Sequence, residues 1–198
     1  GKLFGDKINL EGNYNRLSGN SSTSFNYYCK SLFRLKKVLG KAYAKNLSSL
    51  KGGALDIRGS ILDKNNVKSI QSQYSLSNGL VEVNNKPSIQ SINIKGSLAW
   101  ENLNRKSTGK IVFDKFSAKF EDGDIKGAGS IHDFNKMNLK VDVDGSVGIQ
   151  TLAENFSANT VSISSGKISF TTQLSGALKT VFVQNSLSGF TNLKSKGD

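Results

Sequence analysis

Apolar residues recur at every second position in short runs along the chain: Ile92, Ile94, Leu98 and Trp100 about Gly96, then Leu139, Val141 and Val143, then Ile168 and Phe170. A period of two puts such residues on one side of an extended strand and their polar neighbours on the other. Over residues 111–120 the apolar phase shifts between Phe113 and Phe116, which predicts a β-bulge or a break between two strands. Turn signals at Asn78-Gly79, residues 84–87, Asp122-Gly123 and Asp144-Gly145 punctuate the runs, because glycine, and less readily Asn or Asp, accepts a positive φ. The pattern predicts a mainly all-β fold, a curled antiparallel β-sheet or open roll with a groove, interrupted by two short helices.

The helices come from two stretches that leave period two. Leu32, Leu35, Leu39, Ala42 and Tyr43 fall at helical spacing, and Lys30, Arg34, Lys37, Lys41 and Lys45 form a stripe beside them. This predicts an amphipathic basic helix over 30–45, whose apolar stripe caps one end of the sheet while its cations face water; the alternative is contact with a membrane surface, its cations drawn to anionic headgroups. Ile149, Leu152 and Phe156 predict a shorter helix.

The chain also resembles itself. Residues 50–57 and 163–170 share the pattern apolar-x-x-Gly-x-apolar-x-apolar around Gly53 and Gly166, an offset of about 113 residues. Upstream, residues 4–14 parallel 120–131, and 74–80 echo 185–190. The copies, about 1–62 and 117–176, follow one order: strands, a helix, then a glycine-centred strand. The expected organisation is a single repetitive β-region, a fragment of a longer array.

Composition adds limits rather than a site. Twenty glycines and one proline fit many short strands joined by tight turns. Cys29 is the sole cysteine, so the chain can form no internal disulfide and no thiolate zinc site, and it reads as a small buried residue. No apolar run approaches the roughly 18 residues that cross a bilayer as a helix. The net charge of +12 raises anionic partners, but ten of the 27 Lys and Arg lie in residues 1–51 against only Asp6 and Glu11, so the excess is local.

No catalytic constellation emerges. His132, the one histidine, has no local nucleophile and reads as a solvated loop residue. Asp142-Val143-Asp144-Gly145 has the look of a calcium loop, but its glycine falls too early for the EF-hand order, and a hairpin turn explains it. Gly127-Ala128-Gly129 lacks the third glycine of a dinucleotide fingerprint and reads as a strand or bulge. A non-enzymatic chain without metal or cofactor is therefore expected. Ile92, Ile94, Leu98, Trp100, Val141, Val143, Ile168 and Phe170 are the candidates for a groove or a core, since both demand the same alternation.

The runs at 49–59, 75–81 and 86–94, followed by 109–120, resemble the repeats of AsmA-like proteins, particularly the large ones of Bacteroidota-type bacteria. The likeness covers roughly residues 25–176 and rests on the order and spacing of glycine and apolar positions. It implies an envelope protein of Gram-negative bacteria, anchored in the inner membrane by a segment outside this chain and projecting into the periplasm. It further implies a long β-groove that moves phospholipid, or another acyl-chain ligand, towards the outer membrane and supports its assembly, with further repeats of the parent chain as neighbours. The strongly basic helix is not something the family pattern demands. Read from the residues alone, a structural spacer and a basic surface for anionic polysaccharide, lipopolysaccharide or nucleic acid stay open, nucleic acid being disfavoured by the absence of a recognised module.

Overall fold

The structure is a computed structural model that describes residues 1–3, 6–32, 50–82, 88–148, 166–177 and 187–196. These residues form β1 (Lys2–Leu3), β2 (Asp6–Tyr14), β3 (Ser21–Cys29), β4 (Leu50–Lys64), β5 (Val67–Val81), β6 (Ile89–Trp100), β7 (Gly109–Lys119), β8 (Asp124–His132), β9 (Asn138–Gly148), β10 (Lys167–Ala177) and β11 (Leu187–Lys196). A 3-10 turn at Lys106–Thr108 precedes β7. Among the described residues the eleven strands make one sheet in sequence order, each antiparallel to the next, and it does not close into a barrel. The mainly β, open antiparallel fold read from the alternation is thus what the chain adopts. The predicted helices over 30–45 and from 149 lie outside the described residues, except for Lys30 to Leu32.

Short connections at one end of the sheet explain the strand pairing. Asn65 and Asn66, with φ of 52° and 61°, form the two-residue link between Lys64 and Val67, the left-handed pair that suits the twist of a hairpin. Between β2 and β3 the Asn15 side-chain oxygen accepts the N–H groups of Leu17 and Ser18. Asp133 does the same for Asn135 and Lys136 between β8 and β9. At the other end, the Phe120 N–H donates to the Gly123 carbonyl at 2.8 Å, so Asp122-Gly123 is the turn its sequence predicts.

Two of the predicted turns are corrected. Asn78 and Gly79 lie inside β5, where Asn78 has φ of 53° and the register with β6 shifts between Leu76 and Gly79. The left-handed residue here serves a bulge, not a reversal of the chain. Asp144 and Gly145 lie inside β9, with Gly145 directly opposite Phe170 of β10. That glycine makes room for a ring. The phase shift between Phe113 and Phe116 is a bulge: Lys95 pairs with Lys115 while Gly96 pairs with Phe113, leaving Asp114 as the extra residue. Gly53 and Gly166, the matched glycines of the internal repeat, both have positive φ, 110° and 135°.

The sheet is one layer thick. Among the described residues the buried hydrophobic side chains are Tyr27, Cys29, Leu32, Ala118 and Val147, and Cys29 alone is wholly enclosed. Tyr27, Cys29, Ala118 and Val147 sit towards the ends of β3, β7 and β9 opposite the short hairpins. A central core between two layers is absent from the described residues.

Candidate functional site

Register sorts the strand side chains into two faces. One row runs without a break across nine strands: Ile8, Tyr27, Ile57, Tyr74, Gly96, Phe113, Gly129, Val141 and Leu174 stand directly opposite one another from β2 to β10. A second row one pleat away holds Leu10, Phe25, Gly59, Ser72, Leu98, Ile111, Ile131, Leu139 and Gly176. On the other side of the first row lie Cys29, Leu55, Leu76, Ile94, Phe116, Gly127 and Val143. Alternate positions, which form the opposite face, are mostly polar, with Tyr28, Leu62, Ala99, Val112 and Ala128 as exceptions; on β5 they read Ser69, Gln71, Gln73, Ser75 and Ser77.

All eight candidates from the sequence, Ile92, Ile94, Leu98, Trp100, Val141, Val143, Ile168 and Phe170, share the apolar face and are half-buried. Of the basic stripe, Lys30 is exposed just after β3, whereas Arg34, Lys37, Lys41 and Lys45 lie outside the described residues. His132 ends β8 and is not in a loop; it is exposed and 2.8 Å from the Ser130 hydroxyl on the polar face.

Alternation did not reveal how the aromatic residues lie. Six of them face a glycine directly across the ladder: Phe25 faces Gly59, Tyr74 Gly96, Trp100 Gly109, Phe113 Gly129, Phe116 Gly127 and Phe170 Gly145. In three pairs the ring tip and a backbone carbonyl of the adjacent strand together occupy the space where a methyl group would stand. The Tyr74 ring comes within 2.9 Å of that point over Gly96, Phe116 within 2.6 Å over Gly127, and Phe170 within 2.9 Å over Gly145. These rings reach sideways over the neighbouring strand instead of standing up from the sheet. Tyr74 extends so far that its hydroxyl donates to the Val112 carbonyl on β7 at 2.9 Å. At the hairpin end Phe134 covers Gly109 and meets the Trp100 ring edge-on, with centroids 5.1 Å apart. The signal for this lay in glycine and aromatic residues on consecutive strands, visible only once the register is known.

No protein-family model, curated protein or solved structure matches the chain. Laid-down rings give a low, smooth, apolar floor, whereas a sandwich core needs upright side chains that interdigitate with a sheet about 10 Å away. The floor is open to solvent at the hairpin end, where Leu10 is 66% and Ile61 38% exposed. At the other end it meets an enclosed polar group: Tyr27 donates to the Asp6 carboxylate at 3.4 Å, and Cys29 to the Ser31 carbonyl at 3.0 Å. Burial above all, with Cys29 and Asp6 adding to it, pushes the Tyr27 phenol well above its ordinary value, and burial likewise raises the Cys29 thiol. Both stay protonated at neutral pH, so the thiol is not activated.

Proposed function

We propose that the apolar face binds the acyl chains of phospholipid, and that the chain is a non-enzymatic, periplasmic section of an AsmA-like envelope protein that conducts lipid between membranes. The observation that carries this reading is the glycine-seated paving of a face left uncovered by any second layer among the described residues. Apolar side chains arranged for a protein core would rise from the sheet; these form a floor on which a flexible hydrocarbon chain can lie. The rows run across the strands, so a ligand aligned with them crosses about eight strand spacings, roughly 38 Å. Burial of each methylene is worth about 0.8 kcal/mol, so ten methylenes supply about 8 kcal/mol. This exceeds the lower estimates of association cost, about 4 kcal/mol, without any polar recognition. Such a site needs no conspicuous side-chain chemistry, in keeping with the absence of a catalytic motif in the sequence.

Photo-crosslinking residues placed at Leu98 and Val141 on the apolar face should capture phospholipid in bacterial cells, and the same residues at Gln73 and Ser97 on the polar face should not. Native mass spectrometry of the purified protein should show the corresponding mass additions. Equal capture from both faces, or none from either together with lipid-free spectra, would replace lipid conduction with a spacer role.

A further inference from the structure

The polar face has a site of its own. A cavity of about 690 Å³ opens there; Ser75, Lys95, Lys115, Lys126, Asp142 and Asp144 of the polar face line it, and Leu76, Ile94 and Phe116 of the apolar rows reach it as well, so its polar groups stand on a largely apolar lining. Lys95 and Lys115 stand directly across the ladder from each other, an arrangement in which like charges repel. Their neighbours are treated differently: Lys119 faces Asp124, and Lys126 faces Asp144. Among the described residues none of these four lysines is in an ion pair, and of the four only Lys95 and Lys115 have no carboxylate directly across the ladder. The bulge creates this juxtaposition. Continued without it, the Gly96–Phe113 register would bring Asp114 opposite Lys95; the extra residue keeps Phe116 on the apolar face and presents a second lysine in its place.

We infer that this cavity binds one phosphate group of a small phosphate ester, held between the Lys95 and Lys115 ammonium groups with the Ser75 hydroxyl beside them. Two flexible point charges suit a compact anion of variable approach, and the volume is that of a small-molecule site. The far wall sets the size of the ligand. Asp144 faces Lys126 and accepts a hydrogen bond from Thr171 at 2.8 Å, and Asp142 faces Ala128, so an extended polyanion laid across the cavity meets negative charge after the lysines. A phospholipid headgroup and a free phosphate ester offer the same group.

The test is titration of the isotopically labelled protein with glycerol 3-phosphate at fixed ionic strength, beside co-sedimentation with vesicles of phosphatidylglycerol or of a phosphate-free galactolipid. Binding should be saturable, weakened about fivefold or more by Lys95→Gln and by Lys115→Gln, and unchanged by Lys119→Gln, which removes an exposed lysine outside the cavity. Binding of the free ester identifies a soluble ligand. Phosphatidylglycerol vesicles bound through the same two lysines, without response to the free ester, identify a headgroup. Absence of both, equal loss in Lys119→Gln, or tighter binding of heparin than of either probe through these lysines overturns the inference. None of these substitutions touches the apolar face, so failure here leaves the acyl-chain reading intact.

Discussion

Tyr74 and Gly96 show how much depends on one missing methyl group. A Cβ on Gly96 would meet the Val112 carbonyl and come 2.7 Å from the Tyr74 hydroxyl, so Gly96→Val has to lift the ring and break its bond to Val112. Overpacking of this kind costs about 1–3 kcal/mol, which chemical denaturation would measure directly. The clash with the Val112 carbonyl is independent of the ring, so the share due to Tyr74 is read from the same substitution in a Tyr74→Ala background: a cost equal to that in the parent would mean the ring stands free above the strand. The phenol gives a second readout. Burial, with the Asp114 charge adding to it, pushes Tyr74 up to about 12, whereas an unfolded tyrosine titrates near 10. The stability tied to the neutral phenol is therefore complete below about pH 10 and is lost as the pH climbs through about 12, because the unfolded chain gives up its proton first. Denaturation midpoints followed across that window should fall less steeply in Tyr74→Phe than in the parent. Some slope remains, since Tyr27 is raised as well.

In β7 the bulge decides what each side chain faces. Phe113 and Phe116 are three apart yet both join the apolar face, because Asp114 is taken out of the alternation. Deleting Asp114 leaves a strand that alternates regularly with every other residue on its present face, so that variant should fold, with a thermal midpoint within a few degrees of the parent. Deleting Val112 instead reverses the faces of one part of the strand and should abolish the cooperative melt. Circular dichroism on heating separates the two. The phase shift of the two phenylalanines was legible in the sequence as a bulge or a break between two strands, and the register decides for the bulge. Asn78-Gly79 and Asp144-Gly145 were misread: an Asn-Gly or Asp-Gly pair is a turn signal when only the local chain is considered, and its use as a bulge or as the seat of a ring on another strand is fixed by register. Asn65-Asn66, the left-handed turn that is present, carries no glycine to announce it.

For the whole molecule, alternation was enough to identify an antiparallel sheet and to place Ile92, Ile94, Leu98, Trp100, Val141, Val143, Ile168 and Phe170 on one side of it. It could not distinguish a covered face from an open one, because burial against a second layer and exposure to a hydrocarbon ligand select the same residue types. The distinction lies in the height of side chains above the backbone, which depends on pairs such as Phe170 and Gly145, 25 residues apart in the chain. The lysine pair was hidden likewise, since Lys95 and Lys115 become neighbours only through the bulge. Among the described residues every strand pairs only with those before and after it in the sequence, so none of them has to wait for a distant partner. Such a chain can settle hairpin by hairpin while its later residues are still emerging from a ribosome or a secretion pore. The same wiring lets the sheet gain or lose a hairpin without rearranging the rest, so its span across the strands is a quantity that insertion and deletion can adjust in steps.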